Sequence, residues 1–109
     1  MKNVHKIINL TSHDVYDVVG KNWYPATNQA AKVTYTEKIL ATFNGTPIIK
    51  YIYSEPVGLP KPEEGTLYIV SSVVLNAMKG KRNDLISPAK VVRDTRGVPI
   101  GCQGFRING

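Results

Sequence analysis

Polar side chains that could contact an anionic ligand stand in two short segments of the sequence. Asn9, Thr11 and His13 alternate within one predicted turn, where they either converge on a polar ligand or satisfy the backbone of the turn itself. Ser71 and Ser72 stand where a predicted strand gives way to a short helix. They either present hydroxyls and free N–H groups to an anion or cap the helix. The residue types alone allow both roles in both segments.

Charged and aromatic side chains could complete such a site. Arg82 lies just beyond the predicted helix, where it could hold a phosphate or carboxylate in a bidentate fork or simply pair with Asp84. Arg93 could add a second cation, and Tyr68 could stack on a base. The predicted ligand-binding residues are therefore Asn9, Thr11, His13, Tyr68, Ser71, Ser72, Arg82, Asp84 and Arg93.

Aromatic residues are numerous for so short a chain, with six tyrosines and one tryptophan. They could stack on bases, but core packing or a subunit interface explains them equally well. Single-stranded nucleic-acid binding is an alternative that no recognised motif supports. The candidate stacking residues are Tyr16, Trp23, Tyr24, Tyr35, Tyr51, Tyr53 and Tyr68.

Catalytic and metal-binding patterns are weak by comparison. His13 has no obvious nucleophile as a partner, because Cys102 is distant in sequence, and no pair of catalytic carboxylates stands out. The sequence has neither a GxxxxGK[ST] nor a GxGxxG pattern. One cysteine and two histidines give no recognised zinc spacing. These features favour a binding protein over an enzyme, and they predict no metal and no cofactor.

The net charge of +6 is concentrated in the C-terminal part of the chain. Residues 79–109 contain seven basic and two acidic residues, so they carry +5 of that charge. This distribution favours an anionic partner, although exposed basic residues also serve simply to keep a small domain soluble. No apolar run approaches the roughly 18 residues of a membrane span, and the N-terminal stretch lacks the apolar region of a signal peptide. We therefore expect a cytosolic protein without a membrane partner.

The elements that would position these residues are mostly strands. The chain of 109 residues is long enough for one domain, residues 1–109, with its own core. Asn44-Gly45 favours a type I′ hairpin turn between strands at 37–43 and 46–53. The remaining predicted strands lie at 4–10, 15–19, 32–36, 67–70, 90–93 and 98–105, with one helix at 73–78.

The order of these elements predicts a mainly β, α+β fold, either a small barrel or a strongly bent antiparallel sheet with one short helix. We expect the first strands to form a β-meander. Residues 54–65 contain three prolines and two glycines, which predicts a rigid connection rather than a strand or helix. Gly101 and Gly104 in the last strand predict a bulge or the close approach of another backbone.

Four separated motifs resemble a family of small proteins encoded by phages and prophages. The motifs are Asn9-Leu10-Thr11-x-His13, Gly58-Leu59-Pro60-x-Pro62, the GTLYIVS segment at 65–71, and Arg82-x-Asp84, which is followed by Pro88. Their order covers nearly the whole chain. The resemblance implies a phage accessory protein in the cytoplasm of the bacterial host, and it implies context more than a defined activity.

Small phage proteins of this size include ones that counter bacterial immunity, some by sequestering nucleotide signals. By this analogy we expect a non-enzymatic protein that binds a small anionic, nucleotide-derived signal in a pocket shared between subunits of a homo-oligomer. Two alternatives are a protein–protein inhibitor of a host defence enzyme and an enzyme that degrades a nucleotide signal.

Overall fold

The strands of the protein form two sheets that differ in size and environment. The computed structural model describes residues 3–108. One sheet has six strands in the order β1-β6-β7-β8-β2-β3, and the other is the hairpin β4-β5. The elements are β1 (Lys6–Asn9), β2 (Val15–Asp17), β3 (Asn22–Tyr24), β4 (Tyr35–Phe43), β5 (Thr46–Tyr53), β6 (Thr66–Ile69), α1 (Ser72–Ala77), β7 (Leu85–Arg93) and β8 (Pro99–Ile107).

The six-stranded sheet is nearly closed into a barrel. Its two edge strands meet where the Asn9 side chain at the end of β1 donates a hydrogen bond of 2.9 Å to the carbonyl of Tyr24 in β3. The predicted mainly β fold with a barrel-like sheet and one short helix is thereby confirmed. The strands are not all antiparallel, however, because β6 runs parallel to both β1 and β7. The helix between β6 and β7 provides the crossover that parallel neighbours need.

The predicted early meander is only half right. Strands β2 and β3 form an antiparallel pair, as a meander requires. Strand β1 instead pairs with β6, more than fifty residues away, and the Leu10 amide extends this pairing to the carbonyl of Ile69. The strand predicted at 32–36 also begins late, since Lys32 forms only an isolated bridge with Val57 before β4 starts at Tyr35.

The core lies between the six-stranded sheet and the helix. Helix α1 is too short to be stable alone and is held by burying Val74 and Leu75. Ser71 is its N-cap and accepts a hydrogen bond from the Val74 amide, and Asn108 donates to the carbonyl of Leu75 at 2.7 Å. Within residues 3–108, no helix is long and apolar enough to cross a membrane. The core cluster comprises Leu10, Ala31, Tyr68, Val70, Val74, Leu75, Met78 and Leu85.

The hairpin β4-β5 is exposed along its whole length. Its turn residues Asn44 and Gly45 have φ values of 50° and 82°, which fits the type I′ turn expected for Asn-Gly. Every residue of both strands is exposed to solvent. The chain is accordingly extended, with a radius of gyration of 16.1 Å, whereas a compact chain of about 100 residues has about 13 Å.

The last strand is shaped by a close approach of β2. The pairing of β7 with β8 shifts by one residue between Val92 and Arg93, so that Ile100 is the extra residue of β8. A Cβ atom at Gly101 would lie only 3.1 Å from the carbonyl oxygen of Tyr16. The predicted close approach of another backbone is therefore confirmed at Gly101, and a bulge lies at the neighbouring Ile100, whereas Gly104 has open space around it.

Candidate functional site

An open cleft lies between the base of the hairpin, the segment after β1, the start of the helix and the bulged ends of β7 and β8. Its volume is about 980 Å³, at the upper end of the range of about 300–1,000 Å³ that small-molecule sites span. The fold brings five of the nine predicted binding residues to this cleft. These are Thr11, His13, Ser71, Ser72 and Arg93.

Aromatic side chains form part of the cleft wall. Tyr16 and Trp23 lie with ring centroids 5.5 Å apart, and Trp23 keeps 60% of its surface exposed. Tyr35, at the start of β4, lines the opposite side and contacts the Tyr51 ring at a centroid distance of 4.8 Å. Exposed rings at the wall of a cleft can stack on the planar part of a ligand.

Two cations and one carboxylate set the charge of the cleft. Lys32 and Arg93 are exposed, and within residues 3–108 neither forms a salt bridge. Arg93 is oriented by donating from Nη1 to the carbonyl of Gly97 at 2.9 Å. Asp14 accepts a hydrogen bond of 2.9 Å from the Ala26 amide at Oδ1. The cleft therefore has two positive groups and one carboxylate, and this carboxylate can accept further hydrogen bonds.

The turn after β1 is held together by Asn9. The Asn9 side chain is buried, its amide group donates to the carbonyls of His13 and Tyr24, and its Oδ1 accepts from the Thr11 amide and hydroxyl. Of the two roles that the sequence allowed for Asn9, these bonds show the structural one, in which the side chain satisfies the backbone of the turn. The His13 ring is exposed at the cleft, whereas Asn9 does not line it.

The two serines combine a structural role with exposure to the cleft. Ser71 accepts from the Val74 amide at 3.3 Å, so the capping role allowed by the sequence is the one observed for this residue. Ser72 is the first residue of the helix. Both residues are exposed and line the cleft, and the Ser71 hydroxyl retains its proton for donation to a ligand.

Arg82 and Asp84 pair with each other away from the cleft. Two hydrogen bonds of 2.8 Å join the Arg82 guanidinium to the two Asp84 oxygens, and the side chains are only 13% and 12% exposed. The hydrogen bonds to Asp84 raise the pKa of Arg82. Tyr68 is buried in the core, where its hydroxyl donates to the carbonyl of Lys61 at 3.3 Å. None of these three residues lines the cleft.

Cys102 lies at the buried floor of the same cleft that His13 lines. It is 1% exposed, and burial raises the pKa of its thiol. Within residues 3–108, no hydrogen bond joins His13 to this thiol. A nucleophilic cysteine needs a lowered pKa and an adjacent base. Within the described residues, Cys102 therefore lacks the contact with His13 that an activated cysteine requires.

Several cleft residues were absent from the predicted site. Trp23, Tyr16 and Tyr35 were candidate stacking residues, but nothing local in the sequence separates them from the other tyrosines. Lys32 and Asp14 do not belong to a recognised sequence motif. Pairings between distant segments, such as β2 with β8 at Asp17 and Cys102 and Lys32 with Val57, help to bring these residues together.

The fold and the site define a small, mainly β protein with a barrel-like sheet and an open cleft of small-molecule size. Comparisons of the chain with protein-family models, with curated proteins and with solved structures find no match in any of the three.

Proposed function

We propose that this protein is a non-enzymatic binding protein that captures a small anionic, nucleotide-derived ligand in the cleft. In the context implied by the resemblance to phage and prophage proteins, the ligand is a signal of bacterial immunity, and its capture counters that immunity. The observation that carries the proposal is the convergence of Thr11, His13, Ser71, Ser72 and Arg93 on a cleft of about 980 Å³.

The chemistry of the cleft wall supports a ligand with both charge and a planar ring. Lys32 and Arg93 are cations without a carboxylate partner in the described chain, and each can bind phosphate oxygens. Trp23 offers exposed ring surface for stacking, and the half-buried Tyr16 ring lies beside it. A simple inorganic anion would contact the cations alone, whereas a nucleotide contacts the cations through its phosphate and the aromatic rings through its base.

Asp14 supports a nucleotide over a purely anionic ligand. A carboxylate in an anion site is unfavourable unless the ligand also carries hydrogen-bond donors. Ribose hydroxyls and the exocyclic amines of bases are such donors. The hydroxyls of Thr11, Ser71 and Ser72 can either donate or accept, so they fit either part of the ligand.

The single tryptophan provides a direct test. Trp23 lines the cleft and is the chain's one tryptophan, so its fluorescence reports occupancy without a label. We expect mononucleotides or cyclic dinucleotides to change this fluorescence in a saturable titration, with an affinity that falls as salt is raised. A panel of nucleotides without any saturable change would contradict the proposal.

Two variants near the turn between β7 and β8 test whether Arg93 contacts the anion. Arg93→Ala removes a cation that lines the cleft, whereas Arg96→Ala removes an equal charge from the adjacent turn, which does not line it. We expect the first variant to weaken nucleotide binding roughly tenfold, as for loss of one charge-assisted hydrogen bond, and the second to have little effect. Equal affinities in the two variants would remove Arg93 from the site.

Recovery of the bound molecule separates binding from catalysis. Native mass spectrometry of the protein after exposure to extract from infected, immune-activated cells would identify the cargo. We expect the ligand to be recovered intact. Recovery of a cleavage product with turnover in solution would instead support the third alternative, an enzyme that degrades a nucleotide signal.

The exposed hairpin favours inhibition of a host defence enzyme by direct contact as a second candidate function. Apolar side chains presented on a protruding element are typical of protein interaction surfaces. This function predicts that a host protein co-purifies with the chain and that nucleotides leave the Trp23 fluorescence unchanged.

A further inference from the structure

The hairpin β4-β5 exposes apolar side chains that nothing in residues 3–108 covers. Its strands contact each other extensively, and no other helix or strand of the described chain packs closely against them. An isolated two-stranded hairpin is at best marginally stable in water. The large apolar residues left at least 38% exposed include Tyr35, Ile39, Phe43, Ile49, Tyr51 and Tyr53.

Both edges of the hairpin are poorly suited to accepting another strand. The β4 edge is interrupted by a register shift between Ile39 and Ala41, which marks Leu40 as the bulged residue. The β5 edge contains Pro47, which has no N–H to donate. Bulges and prolines are the features that protect free edges from pairing. A partner is therefore expected on a face of the hairpin.

The two faces differ in charge. Residues directly opposite in the pairing share a face, and the faces alternate along each strand. The tyrosine face consists of Tyr35, Glu37, Ile39, Thr42, Pro47, Ile49, Tyr51 and Tyr53. The lysine face includes Thr36, Lys38, Phe43, Ile48, Lys50 and Ile52.

Self-association is possible on one face only. Lys38 lies directly opposite Lys50, so packing two lysine faces together would bring four ammonium groups into one interface. The tyrosine face carries one charge, Glu37, which lies opposite Tyr51. Tyrosine hydroxyls can donate hydrogen bonds to this carboxylate, and tyrosines are enriched in protein interfaces.

The charge distribution favours a second copy as the occupant. Of the net charge of +6, the hairpin carries +1, from Lys38 and Lys50 against Glu37, and residues 79–109 carry +5. An acidic partner would be drawn to the basic C-terminal part of the chain. The nearly neutral tyrosine face instead suits a surface of the same kind, as in a two-fold symmetric interface.

We propose that the tyrosine face of the hairpin is a homodimer interface, with the hairpins of two copies packed face to face. The interface is continuous with the cleft, since Tyr35 belongs to both. A second hairpin seated there adds a wall beside the open side of the cleft. The dimer rests on the hairpin and does not depend on the identity of any ligand.

Two neighbouring isoleucines provide a matched test of the face. Ile49 lies on the tyrosine face and is 42% exposed, whereas Ile48 lies on the lysine face and is 48% exposed. Sedimentation equilibrium of the full chain is expected to give twice the monomer mass of 12.0 kDa. Ile48→Arg should keep the dimer mass, and Ile49→Arg should give 12.0 kDa because dimerisation would have to desolvate the guanidinium inside the interface.

Several outcomes would overturn the proposal. These are a wild-type monomer, a mass that grows beyond the dimer with concentration, a monomer for Ile48→Arg with a dimer for Ile49→Arg, or a dimer unaffected by either change. Circular dichroism checks that both variants fold, and Tyr51→Ser, which adds no charge, repeats the test on the tyrosine face. A Trp23 titration of the Ile49→Arg monomer with the same nucleotides shows separately whether the cleft binds without the dimer.

Discussion

The barrel-like sheet and the hairpin are built from similar residues and have opposite environments. Ile69, Val70 and Leu85 in and beside the sheet are fully buried, whereas every residue of β4 and β5 is exposed. Isoleucine and tyrosine are common to both regions, because both types suit a strand. The comparison indicates that apolar residues hold the barrel region together, while those of the hairpin remain accessible for the contact with a second copy that we propose.

The largest difference between the two regions is expected on truncating a buried side chain. Leu85→Ala removes a side chain with 0% exposure and should lower the free energy of unfolding by about 2–5 kcal/mol. Ile48→Ala on the exposed lysine face should change it by less than about 0.5 kcal/mol. Urea unfolding of both variants measures this. Similar losses would mean that the hairpin belongs to the same folding unit as the core.

The same substitution at two glycines, one in each region, makes the comparison more exact. Gly45 and Gly97 both adopt positive φ, 82° and 81°, in turns where an added Cβ would meet nothing within 4 Å. Alanine in this conformation costs about 1–2 kcal/mol. Gly97→Ala strains the β7-β8 turn of the barrel and should lower the midpoint of global unfolding. Gly45→Ala should loosen the hairpin alone, and a comparable shift of the midpoint by both variants would contradict this.

The smallest expected effect is the pH dependence contributed by Cys102. Burial raises the pKa of this thiol above its ordinary value of 9.0. Because folding favours the protonated form, this stabilisation is complete below pH 9 and is lost as the pH rises through the folded pKa. Cys102→Ala should therefore lose less stability than the wild type between neutral and alkaline pH.

Urea unfolding at a series of pH values gives the slope of unfolding free energy against pH for the wild type and for Cys102→Ala. The pKa values of Tyr24 and Tyr68 are also raised by burial, so both proteins should weaken at high pH. Only the difference in slope belongs to Cys102. Identical slopes would show that the thiol does not sense the folded state.

Features encoded by local chemistry could be predicted from the sequence. The Asn44-Gly45 turn, the Ser71 cap and the close approach at Gly101 each depend on one or two residues whose conformational preferences are strong. The pairing of β1 with β6 could not, because parallel strands far apart in sequence carry no local signal of each other. For this reason the sequence could not exclude a sheet in which all strands are antiparallel.

The same division applies to the candidate site. The residues of one turn, such as Thr11 and His13, could be grouped by their spacing. Their meeting with Arg93 and Trp23 in one cleft depends on the closure of the sheet. The sequence also left two roles open for Arg82, and its contacts with Asp84 show which one the local geometry provides.

Hydrogen–deuterium exchange at two protein concentrations tests the division between the two regions most directly. We expect the amides of 35–53 to exchange more slowly at the higher concentration, because a second copy protects the hairpin, while the amides of β6 and β7 exchange at a rate independent of concentration. Hairpin amides that are as protected as those of β6 and β7 at every concentration would contradict the account, since the hairpin would then be stable without a partner.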